Sequence, residues 1–235
     1  MNLKTITRSM LAVACIVPMF ASGQINVLSE DEKKDGWQLL FDGKSFDGWR
    51  NYKEEGVRKG WSIEDGILKH SKGGKDLMTV KQYEDFEFKL EWKISEGGNS
   101  GIFVGAREIN DKISRSGIEM QIIDNEKHPD AQNEKNVSGA CYGLYKPPAE
   151  AAKKAGEWNQ VHIIKKGSKY QFFQNGVKTA DFDLESVDFI NLISEAKFKD
   201  WPHFARYRKG HIGLQDHKDV VFFKNIKLKE FTTKD

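Results

Sequence analysis

The stretch FEFKLEWKI at residues 86–94 is the clearest structural signal in the sequence. An apolar side chain occupies every second position, and a charged side chain occupies each position between. Successive side chains of a β-strand point to opposite faces of its sheet, so this alternation predicts a strand with one buried and one solvated face. A helical period, by contrast, is poor almost everywhere in the sequence.

Turn dipeptides divide the neighbouring sequence into short segments of the same kind. Asp65-Gly66 and Asn175-Gly176 are typical of the tight turn of a β-hairpin. The strand-like segments on either side of these turns are 61–63 and 67–69, then 170–174 and the residues from 177 onward. Further strands are expected over 158–164 and 220–231, and short helices over 29–34, 148–154 and 185–196. Many short strands separated by such turns predict an all-β fold, an antiparallel sandwich or jelly roll with a few short helices.

The composition excludes several classes of protein. The 235 residues include 37 basic and 35 acidic side chains, whereas a general nucleic-acid binder would carry a basic stripe. Aromatic residues make up 11% and there are five prolines, which is typical of a globular chain and not of a disordered one. We therefore expect one large domain and no nucleic-acid partner.

The first 23 residues are predicted to be an export signal. Lys4 and Arg8 precede an apolar run at 10–20 that is too short to span a bilayer. Ala21-Ser22-Gly23 then supplies small residues for cleavage before Gln24. The protein is therefore expected to be periplasmic or secreted, with no transmembrane span after cleavage, although a buried N-terminal helix is an alternative.

Lipidation of Cys15 is a less favoured alternative, since cleavage there would start the tether with apolar residues. The predicted organisation is a signal peptide at 1–23, a lead-in at 24–35 and a single jelly-roll domain at 36–235. Without residues 1–23 the chain has 35 basic and 35 acidic residues and one cysteine, Cys141. One thiol forms no internal disulfide, so the core must provide the stability.

The segment GIEMQIID at residues 117–124 is the most informative candidate site. On a strand, Glu119 and Gln121 share one face while the apolar residues between them face the core. Asp124 is out of phase with Glu119 unless a β-bulge inserts one residue. With a bulge, two carboxyl groups would flank an amide and could act as acid and base, or as acid and nucleophile. The alternative is that Glu119 and Gln121 lie on the solvated face of an ordinary strand and have no catalytic role.

Two further candidates flank the preceding strand. Asn99 lies in an Asn-Ser-Gly segment before it, and Arg107 lies near its end. The Arg107 guanidinium could orient a substrate carbonyl or pair with Glu119. A turn role for Asn99 and a plain salt bridge for Arg107 are the alternatives.

Histidines suggest a general base and raise the question of a metal. His128 follows Asp124 in a polar loop, and His217 closes the segment Leu214-Gln215-Asp216-His217. Asp124 with His128 or His217 could bind a divalent cation, although a loop histidine is more often solvated. The spacing of the histidines matches no local metal motif, so we predict no cofactor and keep a divalent metal as the alternative.

Aromatic residues are numerous and divide into two groups. Trp37, Trp61 and Trp92 occur in strand patterns and are expected in the core. Aromatic rings outside the strands could instead stack on sugar rings. The candidates for such a platform are Trp158, Trp201, Tyr142 and Tyr145. The long connection at 181–211 is expected to be either a wall of a binding site or a packed structural loop.

Several segments together resemble a known family. The first is GWQLLFDGKSFDGW at 36–49, and in matching order follow NSGI at 99–102, GIEMQIID, GACY at 139–142, EWN at 157–159, Asn175-Gly176, GHIGLQDH at 210–217 and VFFKNI at 221–226. This ordered set, spanning about residues 36–231, resembles the 3-keto-disaccharide hydrolase-like family. The resemblance implies a concanavalin A-like jelly roll, export, and action on a small carbohydrate whose C3 hydroxyl is already oxidised to a ketone.

The same resemblance compares the GIEMQIID strand with the acidic catalytic strand of jelly-roll glycosidases. Here Gln121 occupies the middle position and Asp124 the last, which argues against an ordinary double displacement. A 3-keto sugar offers elimination instead, since the ketone acidifies the C2 proton and the C1 oxygen can then leave. Addition of water to the enone would complete a net hydrolysis.

This chemistry needs a base, an oxyanion stabiliser and an acid. We expect Glu119 or His128 as base, Arg107 as stabiliser, and Asp124 or His217 as acid or metal ligand. The expected substrate-binding residues are Asn99, Gln121, Tyr142, Trp158, Gln215 and His217. The alternative function is a non-catalytic carbohydrate-binding module of the same fold, and the oligomeric state stays open.

Overall fold

A computed structural model describes residues 24–231, which form two antiparallel sheets packed face to face. The strands are β1 (Gln38–Leu39), β2 (Trp49–Asn51), β3 (Trp61–Glu64), β4 (Ile67–His70), β5 (Leu77–Thr79), β6 (Phe86–Ile94), β7 (Asn99–Ala106), β8 (Ile118–Ile123), β9 (Asn159–Lys166), β10 (Lys169–Gln174), β11 (Val177–Asp183), β12 (His211–Leu214) and β13 (Val221–Glu230). The larger sheet has the order β11-β10-β9-β6-β13-β4-β3, with β1 paired to β13. The smaller sheet has the order β2-β5-β12-β7-β8. The prediction of an all-β antiparallel sandwich is confirmed.

Strand β6 lies inside the larger sheet, between β9 and β13. Its five apolar side chains are all at most 2% exposed, while the charged side chains between them are only half-buried. Burying one such side chain contributes about 1.5–3 kcal/mol of hydrophobic free energy. The alternation at residues 86–94 is therefore confirmed with its bounds.

Both predicted hairpins form around their turn dipeptides. Asp65 and Gly66 join β3 to β4 with φ of 51° and 77°, and Asn175 and Gly176 join β10 to β11 with φ of 50° and 82°. Two consecutive positive φ angles match the twist of the flanking strands, and Asn-Gly and Asp-Gly tolerate them best. Local turn chemistry therefore sets the start of each hairpin register.

Two of the three predicted helices exist. The first is α1 (Glu30–Lys34), where the Ser29 hydroxyl accepts from the Glu32 N–H and the Glu32 carboxylate accepts from the Ser29 N–H. The second is α2 (Val187–Glu195), capped by the Ser186 hydroxyl.

The helix predicted over 148–154 is wrong. The Lys153 N–H donates to Asn159 Oδ1 (2.8 Å), and the Ala151 carbonyl accepts from Asn175 Nδ2 (2.7 Å). These backbone groups are bound by side chains of the larger sheet and its β10–β11 turn. The segment at 148–154 therefore lies against the larger sheet and its β10–β11 turn, and it forms no helix.

The smaller sheet is covered on both faces. Met120 and Ile122 of β8 belong to the core between the sheets, so Glu119 and Gln121 point the opposite way. The connection after β11 covers that second face with Phe198, which lies in a 3-10 turn (Lys197–Asp200) and is 3% exposed. The connection at 181–211 is therefore packed, as one alternative expected, and it also lines a pocket; whether that pocket is a binding site stays a prediction.

The predictions for residues 1–23, including the export signal and Cys15, concern residues outside the described part of the chain. Within the described part, Cys141 is a free thiol and is 1% exposed. No helix between residues 24 and 231 has the length and apolar character needed to cross a bilayer.

The Asn175-Gly176 turn generates a stability prediction. Gly176→Ala is expected to lower the free energy of unfolding by about 1 kcal/mol, because a Cβ disfavours φ of 82° even though no atom lies within 4 Å of it. Gly56→Ala is the matched control, since Gly56 has equally open space without a positive φ. Urea unfolding of both variants measures the difference, and equal stability would contradict the turn argument.

Candidate functional site

A pocket of about 140 Å³ opens on the face of the smaller sheet that points away from the core. Strands β7 and β8 form its floor, and the connection after β11 forms one wall. Its lining comprises Asn99, Ser114, Gly117, Glu119, Gln121, Asp130, Tyr142, Lys197, Phe198, Trp201, Phe204, Gln215 and His217. Six predicted site residues therefore line one pocket: Asn99, Glu119, Gln121, Tyr142, Gln215 and His217.

The register of β7 and β8 decides which side chains share this floor. Glu119 lies opposite Phe103, Gln121 lies opposite Gly101, and the pairing runs from Asn99 to Val104 without a shift. The β-bulge that would bring Asp124 onto this face is therefore absent, and that expectation is wrong. Gly101 leaves room for the acid, because a Cβ there would overlap the Glu119 carboxyl group.

Asp124 has a structural environment instead. Its Oδ2 accepts from the Gly97 N–H (2.7 Å) and its Oδ1 from the Glu126 N–H (3.0 Å). The residue is 4% exposed and lies outside the pocket lining. Its carboxylate therefore connects the turn that precedes β7 with the turn that follows β8.

Glu119 is the buried acid of the pocket, with 9% of its surface exposed. Its Oε1 accepts a hydrogen bond from Gln215 Nε2 (3.1 Å). Burial raises the pKa of Glu119 to about 8, although the Lys197 charge pulls it down. The carboxyl group is therefore mostly protonated at neutral pH and can give up a proton slightly above it, which suits acid–base chemistry.

Lys197 is the cation of the site, and the sequence analysis missed it. Its Nζ lies 4.2 Å from the centroid of the Tyr142 ring, and its charge acts on Glu119. Burial lowers the pKa of Lys197, which the Glu119 charge partly offsets. No local pattern distinguished it from the other 36 basic residues, because its position depends on how the connection after β11 folds back.

Arg107 and Trp158 lie elsewhere. The Arg107 guanidinium lies 5.0 Å from the Tyr207 ring centroid and donates to the Lys209 carbonyl (3.3 Å), so the predicted pairing with Glu119 is absent. Trp158 lies on the larger sheet, where Lys224 Nζ is 4.2 Å from the centroid of its ring. Neither residue lines the pocket. The aromatic walls are instead Tyr142, Phe198, Trp201 and Phe204.

Three amide oxygens of the pocket have no hydrogen-bond partner among the described residues. They are Asn99 Oδ1, Gln121 Oε1 and Gln215 Oε1, and all three are buried. An unpaired buried acceptor costs about 1–3 kcal/mol, so natural proteins seldom keep several together without a purpose. The cluster is suited to accept hydrogen bonds from a ligand that carries several hydroxyl groups.

His128 and His217 lie at the rim, with ring centroids 5.9 Å apart. Together with Asp219 they bring possible ligand atoms within 4.8 Å of one another. The predicted metal partner Asp124 is not part of this group. Two imidazoles and a carboxylate can bind zinc or manganese.

The hydrogen bonds of this rim group limit metal binding. The Asp130 N–H donates to His128 Nδ1 (3.1 Å), so the neutral His128 ring carries its proton on Nε2. A cation that binds His128 would have to displace either the Nε2 proton or the hydrogen bond from the Asp130 N–H. Asp219 Oδ2 accepts from the Asn99 N–H (3.0 Å) and lies 3.4 Å from His217 Nδ1, and His217 Nε2 has no hydrogen-bond partner among the described residues.

The fold and the pocket together define a class of protein. A β-sandwich with a buried acid, unpartnered amides and aromatic walls on one sheet has the features of a small-molecule binding or catalytic site. The sequence matches the 3-keto-alpha-glucoside-1,2-lyase-like domain over residues 36–229. The chain belongs to this family, which confirms the resemblance found from the sequence.

Individual relatives agree with this assignment. The chain is 35% identical over 227 residues to a 3-keto-disaccharide hydrolase of Bacteroides thetaiotaomicron, covering 83% of this chain and 78% of that protein. A crystal structure from Parabacteroides distasonis, of a protein provisionally assigned to the glycosyl hydrolases, is 32% identical with a TM-score of 0.85 and covers 89% of this chain and 100% of that chain. A galectin-like structure from Bacillus subtilis is 11% identical with a TM-score of 0.51, covers 78% of this chain and 90% of that chain, and shares the fold alone.

The raised pKa of Glu119 generates a prediction about stability and pH. The pKa of Glu119 is near its ordinary value of 4.5 in the unfolded chain, whereas burial raises it to about 8 in the folded chain. Between these values the unfolded state gains more from ionisation, so the folded state loses stability as pH rises, by on the order of 1 kcal/mol per pH unit. Glu119→Gln should therefore become more stable relative to wild type from pH 5 to pH 8.

Urea unfolding at pH 5, 6, 7 and 8 measures this change. Glu157→Gln is the control, because Glu157 is exposed. A constant difference between wild type and Glu119→Gln across the range would contradict a buried, protonated Glu119.

Proposed function

We propose that this protein is an exported enzyme that cleaves the glycosidic bond of 3-keto-glycosides, including 3-keto-disaccharides. The observation that carries the proposal is the group of three unpartnered amide oxygens around Glu119 in one pocket. Sugar hydroxyl groups donate hydrogen bonds to such acceptors, and the aromatic wall can pack on the apolar face of a sugar ring. A ketone oxygen, which only accepts, would be bound by the Lys197 ammonium group instead.

The proposed reaction is an elimination followed by addition of water. A base removes the C2 proton, and the electron pair forms an enolate whose charge lies on the C3 oxygen. The enolate then re-forms the ketone and a C1–C2 double bond as the C1 oxygen leaves with a proton from an acid. Water adds to C1 and a proton returns to C2, so that the sum is hydrolysis.

The pocket offers one group for each role. Glu119, mostly protonated at neutral pH, is the proposed acid for the leaving oxygen. His217 is the proposed base, because Asp219 on Nδ1 leaves its Nε2 free. Lys197 is the proposed stabiliser of the enolate, the role expected from the sequence for Arg107.

The family and its relatives support the substrate. The family is named for a lyase of 3-keto-alpha-glucosides, whereas the Bacteroides thetaiotaomicron relative is named a hydrolase of 3-keto-disaccharides. Elimination followed by hydration reconciles the two descriptions, since its first half is a lyase reaction and its sum is a hydrolysis.

Incubation with a 3-keto-glucoside and with its unoxidised parent tests the proposal. We expect release of the leaving group from the 3-keto-glucoside alone. Glu119→Gln should lower kcat by about 10²–10⁴-fold, as expected for loss of a general acid, and Glu157→Gln should leave it unchanged. Because the proposed steps need no metal, turnover should persist in a chelator.

Two results would contradict parts of this proposal. Binding of both sugars without release from either would favour a carbohydrate-binding module, and Glu119→Gln would then weaken binding only modestly. Loss of turnover in chelator that a divalent cation restores, together with loss of turnover in His128→Gln, would assign a metal to the rim group of His128, His217 and Asp219, because His128 has no role in the metal-free reaction.

Export is the remaining part of the proposal. We expect a protein produced in a Gram-negative host to begin at Gln24, because Ala21-Ser22-Gly23 offers the small residues that signal peptidase requires. Mass measurement of the mature protein checks this start. A mass that includes a lipid on Cys15 would favour the lipoprotein alternative.

A further inference from the structure

A second depression of about 540 Å³ adjoins the pocket and shares three lining residues with it: Ser114, Gln215 and His217. We call it the lysine groove, because Lys53, Lys75, Lys112 and Lys218 all line it. None of these lysines has a role in the fold described above or in the proposed reaction. The groove is continuous with the space around Glu119.

The carboxylates of the groove are largely turned towards backbone amides. Asp216 accepts from the Lys75 N–H (2.7 Å) and the Lys218 N–H (2.8 Å). Asp76 accepts from the Asp216 N–H (3.0 Å), and burial raises the pKa of Asp76 to about 6. Asp111 at the edge is the exposed carboxylate.

The ammonium groups, in contrast, face solvent. Lys75 pairs with Glu54 (2.7 Å), but Lys53, Lys112 and Lys218 have no ion-pair partner among residues 24–231. The groove therefore presents three unpaired ammonium groups beside the pocket, against one exposed carboxylate, Asp111.

The backbone supplies an independent observation. Lys53, Lys75 and Lys218 have φ angles of 57°, 54° and 74°, which is the left-handed region. Glycine, asparagine and aspartate fit this region at lower cost than lysine. Three of the four groove lysines therefore occupy backbone positions that other residue types adopt at lower cost.

We propose that the lysine groove binds an anionic group, a carboxylate or a sulfate, on the part of the substrate that leaves. This inference rests on the proposed function, in which the 3-keto ring occupies the pocket beside Glu119. The leaving part then extends past Ser114, Gln215 and His217 into the groove. Lysine ammonium groups contact such an anion as point charges, without needing one fixed geometry.

Three matched substrates test the inference. All are 3-keto-glucosides with the same linkage, and the leaving sugar is glucose, glucuronate or glucose 6-sulfate. Wild type should have a kcat/KM at least roughly threefold higher for one or both anionic substrates, as expected for a few exposed ion pairs. The preference should shrink as ionic strength rises.

The variant Lys53→Gln/Lys218→Gln should lose most of this preference, with the kcat/KM for the anionic substrate falling more than that for the neutral one. Lys44→Gln/Lys169→Gln is the control, since both lysines are exposed and outside the groove. Lys53→Asn/Lys218→Asn should lose the preference while raising the melting temperature, because asparagine tolerates a positive φ better.

The outcomes separate this inference from the proposed function. Equal kcat/KM for the neutral and anionic substrates in wild type would overturn the inference and leave the proposed function intact. A preference that both double Gln variants keep would overturn it as well. Cleavage of none of the three substrates would overturn both.

Discussion

The packing of the apolar face of β6 against the smaller sheet is the interaction on which the rest of the structure depends. Phe88, Leu90 and Trp92 lie in one core cluster with Met120 and Ile122 of β8. Because side chains alternate along a strand, the burial of Met120 and Ile122 forces Glu119 and Gln121 onto the opposite face. The core therefore sets the direction of Glu119 and Gln121 through the alternation of side chains along β8.

The second consequence is the environment of Glu119. The connection after β11 covers the outer face of the smaller sheet with aromatic rings, so an acid that would be solvated on an ordinary sheet surface becomes buried. Burial penalises the carboxylate more than the acid and moves its titration towards neutral pH. The price is a loss of stability at high pH, which is a common trade at active sites.

Only part of the candidate site could be predicted from the sequence. The GIEMQIID segment identified Glu119 and Gln121 because a strand period is visible in a single stretch, and Asn99, Tyr142, Gln215 and His217 are also at the pocket. Their catalytic and binding roles stay predictions. Asp124 was grouped with them on the assumption of a bulge that β8 does not have. Lys197 could not be found, since its contact with Tyr142 joins segments far apart in the chain.

Local sequence patterns predict the half-buried strands, the two hairpin turns and the helices at 29–34 and 185–196, because each depends on residues within a few positions of one another. The sequence also determined the family through an ordered set of segments. The tertiary structure alone shows which polar side chains are buried together and which cation lies near Glu119. It also shows that the lysine groove adjoins the pocket. Those facts depend on strand register and on how long connections fold back, and neither is encoded in a local pattern.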